Sequence, residues 1–252
     1  MLTVRIIPCL DVKDGTVVKG IQFGNLKKAG SPADLAARYE AEGADELVVL
    51  DIAATPDQRA HRLDTVRLVR ERLSIPLTVG GGVRTIDDAG RLLEAGADKV
   101  GINSAAFYNP DLLTMISERY GRQCTVLALD AARSQAGDRW ETVIRSGREH
   151  TGRDAVEWAR EAARAGAGEI LLTSWDRDGS RDGYDLDLLR AITGAVTIPV
   201  IASGGGFLRQ HFVDALDAGA DAVLAASVFH FQKDTIRGIK EYLHENRKEV
   251  RL

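Results

Sequence analysis

The chain has 252 residues, 44% of them apolar, which is enough to bury a sizeable core in one large domain or two small ones. Its 33 basic and 37 acidic residues leave a net charge of −4, which argues against nucleic-acid or membrane-surface binding. Cys9 and Cys124 stand far apart without metal-ligand spacing, so a reduced, cytoplasmic protein with no metal is expected. No apolar run approaches the ~18 residues of a membrane span, and the opening MLTVRIIPCLDVKDG has no leader character.

In chain order, strands are predicted at about 4–11, 46–51, 76–80, 98–103, 124–130, 168–173, 198–203 and 220–225. Amphipathic helical patterns separate them. SPADLAARYEAEG and TIDDAGRLLEAG each open on an N-cap Ser or Thr and close on Gly. Eight strands each followed by a helix, with no long linker, predict a (β/α)8 TIM barrel occupying residues 1–252 as one domain. One stretch breaks the alternation. DRWETVIRSG, at 138–147, alternates as a strand directly after the fifth strand and reads as an inserted hairpin.

The chain also repeats itself. LSIPLTVGGGV at 73–83 falls on VTIPVIASGGG at 196–206 at an offset of 123 residues. At the same offset GADKVGINSAA falls on GADAVLAASVF, and EGADELVVLDI on AGAGEILLTSW. Three collinear matches point to two similar half-barrels. In such barrels the site lies at the C-terminal ends of the strands, and phosphate often sits after the seventh and eighth. Gly204 and Gly205 end the seventh, and a short helix is expected to start at Ala226 or Ser227 after the eighth. The first half offers Gly81 and Gly82, with Asn103 and Ser104. Glycine lets backbone N–H groups approach an anion, so two cradles across one mouth suit a bisphosphate ligand.

The repeat also matches two carboxylates, Asp11 at the end of the first strand and Asp130 at the end of the fifth. Between two phosphates, such a pair suits acid–base catalysis, because burial and repulsion drive the two pKa values apart. Lys19 is expected in the loop after the first strand, facing a phosphate or Asp11. Strand alternation puts Arg5, Ile7, Cys9 and Asp11 on one face, so Arg5 points inward at the opposite end. The same parity gives Lys99 and Glu169, carries Cys124 toward the core with Asp130, and the repeat adds Glu46. Two cations and two anions then close the barrel floor, either as a salt-bridged plug or as something more.

RIIPCLDVKDGTVVKG, LTVGGGVR, GADKVGINSAA, LLTSWDRDGSRDGYD and the run from IPVIASGGG to ADAVLAASVFHF resemble the cyclase subunits of imidazole glycerol phosphate synthase, from histidine biosynthesis. The resemblance spans the chain from Arg5 to the closing VRL. It implies a barrel lyase that needs no cofactor. Such an enzyme turns N′-[(5′-phosphoribulosyl)formimino]-AICAR-ribonucleotide and ammonia into imidazole glycerol phosphate and AICAR, with Asp11 and Asp130 as acid and base. It implies phosphate contacts at Gly82, Asn103, Ser104, Gly204, Gly205, Ala226 and Ser227, and further site positions at Lys19, Thr173 and Asp178. It also implies a glutaminase subunit docked at the barrel floor, beside Asp98. There Arg5, Glu46, Lys99 and Glu169 would gate ammonia. The sister ribose-phosphate isomerase of the same pathway and a non-catalytic phosphate-binding barrel remain as alternatives. The chain departs from the family pattern at Gln22, Gly101, Trp175, Ser180, Gly206 and Phe207.

Overall fold

The computed structural model describes residues 3–21, 24–54 and 62–252; Gln22 lies outside them. The chain opens with β1 (Arg5–Lys13), which turns into a hairpin of β2 (Thr16–Ile21) and β3 (Gly24–Gly30). Then follow α1 (Pro32–Ala41), β4 (Leu47–Asp51), α2 (Leu63–Arg70), β5 (Leu77–Gly80) and α3 (Ile86–Glu94). β6 (Lys99–Ile102), α4 (Ser104–Tyr108) and α5 (Asp111–Tyr120) close the first half. The second half repeats the plan. β7 (Thr125–Arg133) runs into its own hairpin, β8 (Trp140–Ile144) and β9 (Glu149–Asp154). It continues with α6 (Ala155–Arg164), β10 (Glu169–Ser174), α7 (Leu186–Thr193), β11 (Val200–Ser203) and α8 (Arg209–Asp217). β12 (Ala222–Ala225), α9 (Ser227–His230) and α10 (Ile236–Glu245) end it.

β1, β4, β5, β6, β7, β10, β11 and β12 pair in that order, all parallel, and β12 pairs back onto β1. This is the closed (β/α)8 barrel expected from the sequence, and its two halves face each other around the ring. The predicted hairpin after the fifth barrel strand is present and has a second arm, β9, that the sequence reading did not contain. The stretch after β1, read as a loop, is a second hairpin instead. Its strands lack the apolar alternation that marks a half-buried strand: β3 carries the exposed lysines of LKKAG, and β2 buries the adjacent Val17 and Val18.

Alternation along the strands sorts side chains into two cores. Ile7, Cys9, Val48, Val126, Leu171, Ile201 and Leu224 fill the barrel interior. Ile6, Leu10, Val49, Leu127, Ile170 and Val223 face outward against the helices, with Trp158, Tyr39 and Phe212 among the largest buried side chains. The helices begin as their sequences dictate at some ends and not at others. Thr85 accepts from the Asp88 N–H at 3.1 Å and Asp88 returns a bond to the Thr85 N–H, a capping box worth ~1 kcal/mol. Ser31 precedes α1 but makes no side-chain cap; Pro32, which has no N–H to satisfy, starts that helix. Cys124 departs from expectation. It sits in a single turn before β7, half-buried, rather than inward within a strand. Among the described residues, no helix is long and apolar enough to cross a membrane.

Candidate active site

The C-terminal ends of the barrel strands bring every predicted mouth residue together. A cavity of about 350 Å³ is lined by Gly82, Asn103, Ser104, Asp130 and Thr173, among others. A narrower one of about 50 Å³ is lined by Asp11, Lys19, Thr173, Asp178, Gly204, Gly205, Ala226 and Ser227. Leu50 and Thr173 belong to both, so the two openings meet between the aspartates.

Gly81, Gly204 and Gly205 stand at the mouth where no side chain fits. Gly204 has φ +93°, and a Cβ there would lie 2.7 Å from the Ser174 carbonyl oxygen. Gly81, its partner in the repeat, has φ +97°, and its Cβ would lie 2.3 Å from the Asp51 carbonyl oxygen. Both turns therefore require glycine sterically as well as conformationally. The hairpin after β7 reaches over the Gly81 turn. The Arg145 N–H donates to Ser104 Oγ at 2.9 Å, and Arg145 and Ser146 join the lining of the larger cavity. Sequence reading missed this contribution, although the polar RSG closing the inserted strand was its signal. Trp175 packs across Gly147 in that hairpin turn, where a Cβ would meet the indole at 1.9 Å.

The two aspartates sit in different surroundings. Asp11 accepts from the Lys19 ammonium at 2.7 Å, and the same ammonium lies 3.6 Å from Asp178. Burial opposes the Lys19 charge, but Asp11 and Asp178 outweigh it and hold its pKa above the ordinary lysine range. The Cys9 thiol points at Asp11 from 3.7 Å, and burial and that carboxylate push its pKa up, which keeps it an unreactive thiol. Asp130 accepts from the Asn103 amide at 2.9 Å. No cation pairs with it among the described residues. Burial, then repulsion from Asp178, drives its pKa up to about 7, against the pull of Asn103 and Thr173. One carboxyl is thus ion-paired, and the other is poised between its acid and base forms near neutrality.

At the opposite end, Arg5, Glu46, Lys99 and Glu169 form the alternating ring that strand parity and the repeat together predict. Arg5 bridges Glu46 at 2.8 Å and Glu169 at 2.5 Å; Lys99 bridges the same two carboxylates at 2.9 and 2.7 Å. Thr78 adds a hydroxyl to Glu46 at 2.6 Å, a member that parity alone did not single out. Asp98, on the same rim, pairs with Arg70 at 2.7 Å and accepts the Leu77 N–H at 2.8 Å.

These features have close counterparts. A profile of the family described as histidine biosynthesis protein matches residues 5–235. The imidazole glycerol phosphate synthase subunit HisF of Streptomyces coelicolor is 56% identical over 250 residues, 99% of each chain. The protein of the same name from Streptomyces avermitilis is likewise 56% identical over 250 residues, again 99% of each. With its glycine-ended half-barrels, its matched aspartates and this agreement along nearly its whole length, the chain belongs to the histidine biosynthesis protein family, alongside the HisF subunits of imidazole glycerol phosphate synthase.

Proposed function

We propose that this chain is the cyclase subunit of an imidazole glycerol phosphate synthase. It converts N′-[(5′-phosphoribulosyl)formimino]-AICAR-ribonucleotide and ammonia into imidazole glycerol phosphate, AICAR and water. The observation that carries the assignment is the inequivalent pair of aspartates between two glycine cradles. Gly82, Asn103 and Ser104 hold one phosphate; Gly204, Gly205, Ala226 and Ser227 hold the other, so the reacting centre lies between them. Asp130, with a pKa near 7, carries the proton that leaves as the general acid. Asp11, oriented by Lys19, receives one as the base, and Asp178 fixes Lys19 from its other side. Thr173, in register with Asp130 on the neighbouring strand, donates to the acid and keeps it aimed at the mouth.

Ammonia comes from a glutaminase subunit docked at the barrel floor, and the ring of Arg5, Glu46, Lys99 and Glu169 admits it to the interior. The HisF relatives are named as subunits of a synthase, which supports a partnered enzyme. Asp98, half-exposed on that rim, is a contact for the partner. Residues 1–252 act as one domain, in the cytoplasm. The test is turnover of the purified chain on the bisphosphate with ammonium salt. Ammonium-dependent formation of both products supports the assignment. Isomerisation of the preceding precursor without ammonia would make the chain the sister isomerase, and binding without turnover would make it a non-catalytic barrel.

A further inference from the structure

The second cradle carries a cation that the reading above does not use. Arg181 lies in the loop after β10 with φ +70°, a left-handed conformation that costs a bulky residue energy and persists only where its surroundings impose it. Its neighbours do impose it. The Gly183 N–H donates to the Gly205 carbonyl at 3.0 Å, the Ser180 N–H to the Arg177 carbonyl at 3.0 Å, and the Asp182 N–H to Ser180 Oγ at 3.1 Å. The guanidinium is held as well, with its carbon 4.9 Å above the centre of the Phe207 ring. Among the described residues no carboxylate pairs with it.

Phe207 owes its position to Gly206. A Cβ at 206 would lie 2.3 Å from Tyr184 Oη, which is buried and committed to the Leu224 carbonyl at 3.0 Å. The two unusual residues of this turn therefore act together: Gly206 lets the backbone pass Tyr184, and Phe207 presents a face to arginine. Arg181 then lines both the narrow opening at Gly205 and Ser227 and an adjoining cavity of about 550 Å³ that Lys233 also lines. An arginine resting on an aromatic ring keeps its N–H edge free for a tetrahedral anion, and stacking lowers the entropy lost on binding.

We propose that Arg181, held by Phe207, is an additional ligand for the phosphate monoester in the second cradle. This rests on the bisphosphate reading of the two cradles, with Arg181 as the binding residue and Phe207 as its positioning residue. The probe is inorganic phosphate, followed by the amide resonances of Gly205 and Ser227 for this cradle and of Gly82 and Ser104 for the other. Arg181→Gln should weaken phosphate at the second cradle about twofold to fivefold, as for an exposed ion pair, and leave the first unchanged. Arg181→Lys should recover part of the loss, and Phe207→Leu should weaken the same cradle by a smaller factor. For the bisphosphate precursor with ammonium salt, Arg181→Gln should raise KM and leave kcat near wild type. Wild-type affinity at the second cradle in Arg181→Gln overturns the proposal. So does an equal loss at both cradles, or no phosphate response at Gly205 and Ser227 in the wild type. Arg181-dependent phosphate binding in a chain without ammonium-dependent turnover would instead refute the cyclase assignment and leave this anion site standing.

Discussion

Lys19 lies 2.7 Å from Asp11, eight residues away, because β1 and β2 fold back on each other as a hairpin. The ion pair therefore depends on the hairpin, which holds the Asp11 carboxylate in a fixed orientation. Asp130, across the mouth, has no such cation among the described residues, and this asymmetry between two duplicated positions is the basis of the chemistry proposed for them.

Asp11→Asn and Asp130→Asn should each lower turnover by about 10²–10⁴-fold while leaving bisphosphate binding nearly intact, since an amide cannot exchange the proton. The pH profile should name the acid. With free ammonia held constant, wild-type kcat should fall as pH rises through about 7, where Asp130 loses its proton. A flat profile across that range would remove Asp130 from the acid role.

The stability of the fold should depend on pH through two buried groups of opposite sense. Asp130 has a folded pKa near 7, above its ordinary 3.8, so its stability contribution is complete below about 4 and is lost as pH rises through 7. His230 is pushed down to about 4 by burial, so its contribution is complete above 6.5 and is lost as pH falls through 4. Between about pH 4 and 6.5 the two slopes offset each other. Asp130→Asn should remove one of them, making the variant more stable than wild type at pH 8 by on the order of 4 kcal/mol. The gap should close toward pH 4. Denaturant unfolding at three pH values measures it, and a pH-independent gap would show that Asp130 does not titrate as described.

Much of this site was legible because its signals are short and local. The glycine-ended strands, the repeat offset and the strand parity located Asp11, Asp130, both cradles and the floor ring. What escaped depends on contacts between distant segments. β3 is lysine-bearing and exposed, and β2 buries Val17 and Val18 side by side rather than in alternation, so neither strand carries a clear apolar period. Thr78 joins the floor only because β5 lies beside β4 in register, Thr78 opposite Val48. Tyr39 pairs with His230 across 191 residues, a link no periodicity announces.

Glycine substitutions should separate steric from conformational demands. Gly204→Ala places a Cβ 2.7 Å from a backbone oxygen at φ +93°, so it should weaken phosphate at the second cradle at least tenfold. Strain there should cost about 1–3 kcal/mol of stability. Gly15→Ala has a similar φ of +76° in the β1–β2 turn but open space around it, and should leave phosphate binding unchanged. Phosphate titration of both variants tests the contrast; equal behaviour would mean the cradle does not depend on close backbone approach.

Lys99→Ala should leave Glu46 and Glu169 sharing Arg5 alone. The expected result is a changed ratio of glutamine-supported to ammonium-supported turnover, measured with the glutaminase subunit saturating and the variant shown to be folded. Under the proposed function, ammonia from solution would enter by the open mouth, whereas ammonia made by a docked partner would cross the floor. An unchanged ratio would reduce the ring to a structural plug.

β1 is one uninterrupted ribbon that carries Arg5 in the floor ring, Asp11 at the mouth and Val12 and Lys13 in the hairpin. Six residues of extended chain, about 20 Å, separate the arginine from the aspartate. A strand is stiff along its axis, so the two ends of the barrel share a push-rod. A displacement of β1 along its axis would therefore reach the floor ring at Arg5 and the mouth at Asp11 together, because both residues stand on one continuous strand.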